Sequence, residues 1–64
     1  MIDLSINKEV LLSVINTRLR NDYPSLAVLC ERLDVDRATL EETLAEIDYV
    51  YDAKANQFKH RTAL

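Results

Sequence analysis

The sequence predicts a mainly α domain of three helices followed by a C-terminal β-hairpin. The chain has 64 residues, no glycine and one proline, a composition that favours helices joined by short connections. Ser25 and Asp36, residue types that cap helices, each precede a segment with apolar side chains at helical spacing. The segment Tyr49-Val50-Tyr51 is then rich in β-forming residues. We expect residues 1–64 to form one small domain.

At the start of the chain, Ile2, Leu4 and Ile6 alternate with polar residues, as in a β-strand. Three apolar positions are few, and the preferred interpretation is an extended lead-in that places apolar side chains on the core. Asn7 is a suitable N-cap for the first helix, and Ile6 is placed to pack against Leu11 as a hydrophobic staple.

The first helix is predicted over residues 8–20. Leu11, Ile15 and Leu19 mark one face at i, i+4 and i+8. Val10 and Val14 widen the apolar surface beyond what a helix buried on one side requires. We therefore expect this helix either to be covered on two sides or to meet another chain through Val10 and Val14.

Two shorter helices are predicted over residues 26–33 and 37–47. The apolar face of the first follows the i, i+3, i+4, i+7 pattern and includes Cys30. Between them, residues 34–36 form a short turn in which Asp36 should cap the third helix and Val35 should pack on it. The expected core face of the third helix consists of Leu40, Thr43, Leu44 and Ile47.

The hairpin is predicted at about residues 49–59, with a loop of about four residues. Asn56 in this loop can adopt positive φ where glycine is missing. We expect residues 60–64 to form a frayed tail.

The segment from Ser25 to Leu40 resembles the helix-turn-helix of bacterial winged-helix regulators, and the resemblance extends over about residues 25–59. Cys30 stands where these proteins usually have a small residue, and Asp34 where they usually have glycine. The resemblance implies a three-helix, winged helix-turn-helix-like domain with a C-terminal β-hairpin. It implies little about function, because this fold also serves protein contacts.

A second resemblance covers nearly the whole chain. It is carried by Leu11-Leu12-Ser13, Asn16-Thr17-Arg18-Leu19-Arg20, Tyr23-Pro24-Ser25-Leu26, Leu29-Cys30, Tyr51-Asp52 and Asn56-Gln57-Phe58. These segments resemble domain-of-unknown-function family 4250, a family of short uncharacterised bacterial proteins. The resemblance implies a bacterial origin, and it implies neither an activity nor functional residues.

Composition excludes several classes of protein. The net charge of −3 is mildly unfavourable for nucleic-acid binding. The single cysteine allows no internal disulfide, and the sequence has neither a signal peptide nor an apolar segment long enough to cross a membrane. We expect a cytoplasmic protein without membrane association.

The sequence offers no catalytic residues, no metal ligands and no cofactor site. Phosphate-binding loops of the usual kinds need glycine, and a zinc site needs about four suitably spaced ligands, for which Cys30 and His60 are the only soft candidates. No third group is available to orient His60 for nucleophilic catalysis. We expect neither an enzyme nor a small-molecule substrate.

Two binding functions remain. Residues 36–48 contain five acidic residues and one basic residue, a net charge of −4. Glu41, Glu42 and Glu46 occupy or flank the helix face that would read DNA, where acidic side chains repel phosphate. We therefore expect a protein-interaction module, either binding a protein partner through this acidic face or forming a homodimer through the valines of the first helix.

The alternative is a DNA-binding regulator that docks through the wing. It rests on the basic residues of the hairpin and tail, which are Lys54, Lys59 and Arg61, with His60 beside them. These residues also have a simpler interpretation as a solvated charged segment that protects a sheet edge from aggregation.

Overall fold

A computed structural model describes residues 7–63 of the chain. It contains three α-helices, α1 (Lys8–Asn21), α2 (Leu26–Leu33) and α3 (Arg37–Ala45), followed by strands β1 (Tyr49–Asp52) and β2 (Gln57–His60) and a 3₁₀ helix, Arg61–Ala63. Three helices and a hairpin in this order confirm the predicted fold class. The interpretations made for Ile2, Leu4 and Ile6, including the staple, lie outside the described residues.

Helix α1 begins where the sequence predicts. The side-chain oxygen of Asn7 accepts hydrogen bonds from the backbone N–H groups of Glu9 (2.8 Å) and Val10 (3.3 Å). This cap satisfies two of the N–H groups that have no partner within the helix. Asn7 therefore fixes the first turn of α1.

The connection from α2 to α3 is the predicted three-residue turn. The side chain of Ser25 accepts a hydrogen bond from the backbone of Val28 at the start of α2. At the end of α2, Asp34 adopts the left-handed conformation (φ 55°, ψ 50°), which aspartate tolerates better than most residues. The prediction for Asp36 is wrong in one respect, because its carboxylate accepts from the hydroxyl of Thr39 (2.7 Å) and makes no cap bond to the backbone.

Helix α3 is two residues shorter than predicted and ends at Ala45. The N–H groups of Ile47 and Asp48 bond three residues back, to Leu44 and Ala45, which tightens the chain into turns. Asp48 then takes positive φ (64°), which redirects the chain into β1. Thr43, placed on the core face by the sequence, is half-buried and donates to its own helix instead (2.8 Å to the Thr39 carbonyl).

The wing is a two-stranded antiparallel sheet whose four-residue loop has Asn56 at φ 54°, as predicted. The pairs run from Tyr49 opposite His60 to Asp52 opposite Gln57. The expectation of a frayed tail from residue 60 is wrong for His60, which belongs to β2 and packs edge-on against the Tyr49 ring at 5.4 Å. Residues 61–63 continue as the 3₁₀ helix.

One core joins the helices to the wing. Its buried residues come from α1, α2, α3 and β2, and Tyr23, Tyr49 and Tyr51 pack around it. The fully buried set is Leu11, Ile15, Leu26, Leu29, Leu40 and Leu44, and Phe58 is 2% exposed.

Candidate functional site

The exposed flank of α1 carries the apolar surface that the core leaves uncovered. Val10 is 53% exposed and Val14 37% exposed, and they are the large hydrophobic side chains that remain exposed in residues 7–63. At 100° per residue, Thr17 and Asn21 continue the same line along the helix, and both are exposed. We call Val10, Val14, Thr17 and Asn21 the outer stripe.

The outer stripe contains no charged side chain, although 30% of the chain is charged. Glu9 and Arg20 lie beside it on one flank, and Arg18 lies on the other. Arg18 is held by Asp22 at 2.9 Å. Within the described part of the chain, Glu9 and Arg20 form no ion pair, so their charges remain available to a partner.

The acidic face of α3 is partly neutralised within the molecule. Glu41 pairs with Arg37 one turn earlier (3.2 Å), and Glu46 pairs with Lys8 at the start of α1 (3.3 Å). Of the three predicted glutamates, Glu42 alone has no ion-pair partner in residues 7–63. The structure therefore leaves less free negative charge on this face than the sequence suggests.

The basic residues of the wing are also paired. Lys59 lies 3.5 Å from Asp52, and Arg61 lies 3.5 Å from Asp48. Burial acts to raise the pKa of Asp52, but the hydrogen bond from the backbone N–H of Lys54 and the contact with Lys59 outweigh it and hold that pKa below its ordinary value. Lys54 is the one predicted wing cation without an ion pair in the range that the structure describes.

A polar connection between α1 and the wing has no counterpart in the sequence predictions. The amide of Asn16 donates to the carbonyl of Phe58 (3.1 Å) and accepts from its N–H (2.7 Å). Asn16 thus pairs with the outer edge of β2 as a neighbouring strand would. Gln57 adds a bond from its side chain to the Asn16 carbonyl (2.9 Å).

A second group of bonds fastens the loop end of the wing. Asn56 donates to the carbonyls of Leu19 and Tyr23, each at 3.0 Å. Its side-chain oxygen accepts from the hydroxyl of Tyr51 (2.6 Å), and that hydroxyl accepts from the N–H of Leu26 (3.2 Å). The end of α1, the start of α2 and the wing are therefore joined by one hydrogen-bonded network.

One sequence signal could have revealed this network. Asn16 lies in the middle of a helix, where asparagine is less favourable than most residues, and on the flank opposite the two valines. An unfavourable residue in such a position indicates a tertiary hydrogen bond, but the sequence does not show which atoms it reaches.

Other chemistry has little support in the described range. No group of three His, Cys, Asp or Glu residues is placed to hold a metal ion in residues 7–63. Burial raises the pKa of the Cys30 thiol, which makes it a weaker nucleophile. A shallow depression on the wing, lined in part by Tyr51, Lys54 and Ala63, is open to solvent. None of the described helices is long and apolar enough to cross a membrane.

Comparison with known proteins gives one match. The model of a family described as "Domain of unknown function (DUF4250)" matches residues 6–58, which is most of the chain. Searches of curated proteins and of solved structures found no match.

Proposed function

This chain belongs to the DUF4250 family of domains of unknown function, and we propose that it is a non-catalytic module that acts by binding another protein chain. The exposed outer stripe of α1 carries this proposal. Its two valines lie one helical turn apart, with no charged residue between them on that face. Adjacent apolar side chains that face water gain free energy when a partner covers them.

The internal use of polar residues supports a non-catalytic role. Asn16, Tyr51, Asn56 and Gln57 are among the residues that resemble the family, and each is engaged in a hydrogen bond between parts of the fold. No buried side-chain nitrogen or oxygen in residues 7–63 lacks a partner. Active sites, in contrast, concentrate strained or incompletely satisfied groups. The polar part of the resemblance is thus explained by folding.

The contacts of the wing weigh against DNA binding. Lys59 and Arg61 each lie beside an aspartate, and a phosphate would have to compete with that carboxylate for the same cation. The glutamates of α3 would oppose the approach of the DNA backbone. Neither feature hinders binding to a protein.

Site-specific photo-crosslinking in the native cells tests the proposal. A photoreactive amino acid replaces Thr17, which lies in the outer stripe and is exposed. Its matched control replaces Ala55, which is also exposed but lies in the hairpin loop on another part of the surface. We expect a discrete crosslinked protein band from position 17 and none from position 55.

The crosslink must also depend on the valines. Val14→Glu, placed in the chain that carries the probe at position 17, should abolish the band while the circular dichroism spectrum stays helical. Equal labelling at positions 17 and 55, or a band that survives Val14→Glu, would contradict the proposal.

A further inference from the structure

We infer that the outer stripe binds a second copy of this chain, with the two α1 helices antiparallel about a two-fold axis near Val14. The inference rests on the proposed function and identifies the partner. It follows from the arrangement of charge around the stripe together with the symmetry of a homodimer.

The two unpaired charges of α1 are matched in position. Glu9 lies five residues before Val14, and Arg20 lies six residues after it. At 100° per residue, both fall on the same flank of the outer stripe, about 20° apart around the helix. Both side chains are exposed.

A two-fold axis through Val14 brings these charges together. Antiparallel helices related by such an axis keep the same flank on the same side, and they exchange their ends. Glu9 of one copy then faces Arg20 of the other, and the symmetry repeats this contact. Val14 meets Val14 of the second copy at the centre, and Val10 meets the region of Thr17.

The remaining residues of the stripe are compatible with this pairing. Thr17 and Asn21 are uncharged, so the pairing places no like charges opposite each other along the stripe. Arg18 lies on the other flank, where Asp22 already pairs with it. Antiparallel α1 helices also place opposite helix-dipole ends beside each other.

The interface is short. The stripe runs over 12 residues, or about 16 Å of helix at about 1.5 Å per residue. An interface of this size falls well below the roughly 1,200 Å² that typifies stable complexes, so the dimer is weak and exchanges rapidly. Its dissociation constant should lie near about 10⁻⁴ M, within the range of weak encounters.

A charge-swap experiment tests the geometry by sedimentation equilibrium at low salt, with the chain at up to about 1 mM. Glu9→Arg and Arg20→Glu should each raise the dissociation constant about tenfold, because each turns two attractive contacts into repulsive ones. The double variant E9R/R20E should return to within about twofold of the wild type. An equimolar mixture of the two single variants should form the heterodimer.

Arg18→Glu is the matched control. It makes the same change in net charge at the same end of the helix, but on the flank that the inferred pairing leaves free. We expect its dissociation constant to stay within about twofold of the wild type. Circular dichroism verifies that each variant remains helical.

Two results would overturn the inference. The first is a monomeric wild type throughout the concentration range. The second is a dimer that responds to Arg18→Glu as strongly as to Arg20→Glu, or that is not restored by the double variant. If the chain is monomeric but position 17 still crosslinks to a different protein, the proposed function stands and only the identity of the partner is wrong.

Discussion

The two flanks of α1 show opposite relations between residue type and environment. On one flank, the polar side chain of Asn16 is half-buried and bonded to the backbone of β2. On the other, the apolar Val10 and Val14 face solvent. Polarity alone would have assigned these positions in reverse. The comparison shows that α1 has an inner flank that assembles the fold and an outer flank that the fold does not need.

The largest expected effect lies on the face between these flanks, where Leu11 is fully buried. Leu11→Ala should lower the free energy of unfolding by about 3 kcal/mol, because it removes apolar contacts and leaves a cavity. A chain of this length has a total stability on the order of 3–10 kcal/mol, so the variant should be near its unfolding threshold. Urea unfolding followed by circular dichroism measures the loss. A change below about 1 kcal/mol would show that the packing is looser than described.

An intermediate effect is expected on the inner flank. Asn16→Ala removes both hydrogen bonds to Phe58 and leaves its N–H and carbonyl without their partner, at a cost of about 2–3 kcal/mol. Asn21→Ala is the matched control, because Asn21 lies in the same helix and is exposed. It should change the stability by less than about 0.5 kcal/mol. Equal urea midpoints for the two variants would show that the bonds to the wing contribute nothing to stability.

The smallest effect on stability is expected on the outer flank. Val14→Ala should change the free energy of unfolding of the single chain by no more than about 0.5 kcal/mol, because alanine favours the helix and little buried area is lost. Its effect on association should be larger, with a dissociation constant raised several-fold in sedimentation equilibrium. If Val14→Ala destabilises the chain as much as Leu11→Ala does, Val14 belongs to the core and the two flanks do not differ.

The core and the caps were accessible from local patterns. Helical spacing identified the face containing Leu11, Ile15 and Leu19 because a helix repeats every 3.6 residues whatever its partner. Asn7 and Ser25 were identified as caps because they act on backbone groups two or three residues away. The left-handed conformations of Asp34 and Asn56 were likewise inferred from residues suited to positive φ.

Errors appeared where two parts of the chain compete. The third helix ends at Ala45 because Asp48 turns the chain into the wing. His60 is ordered in β2 because Tyr49 lies opposite it. The free charge assigned to Glu46 and Arg61 was overestimated, since their ion-pair partners, Lys8 and Asp48, are distant in sequence.

The sequence by itself determined the order of helices and strands, most of their boundaries, the buried faces and the excess of apolar surface on α1. Each of these depends on residues within a few positions of one another. Only the tertiary structure decided that Asn16 closes the edge of β2, that the wing cations are paired and that Val10 and Val14 remain outside the core. These outcomes depend on where separate elements meet in space, and hydrophobic periodicity carries no information about that placement.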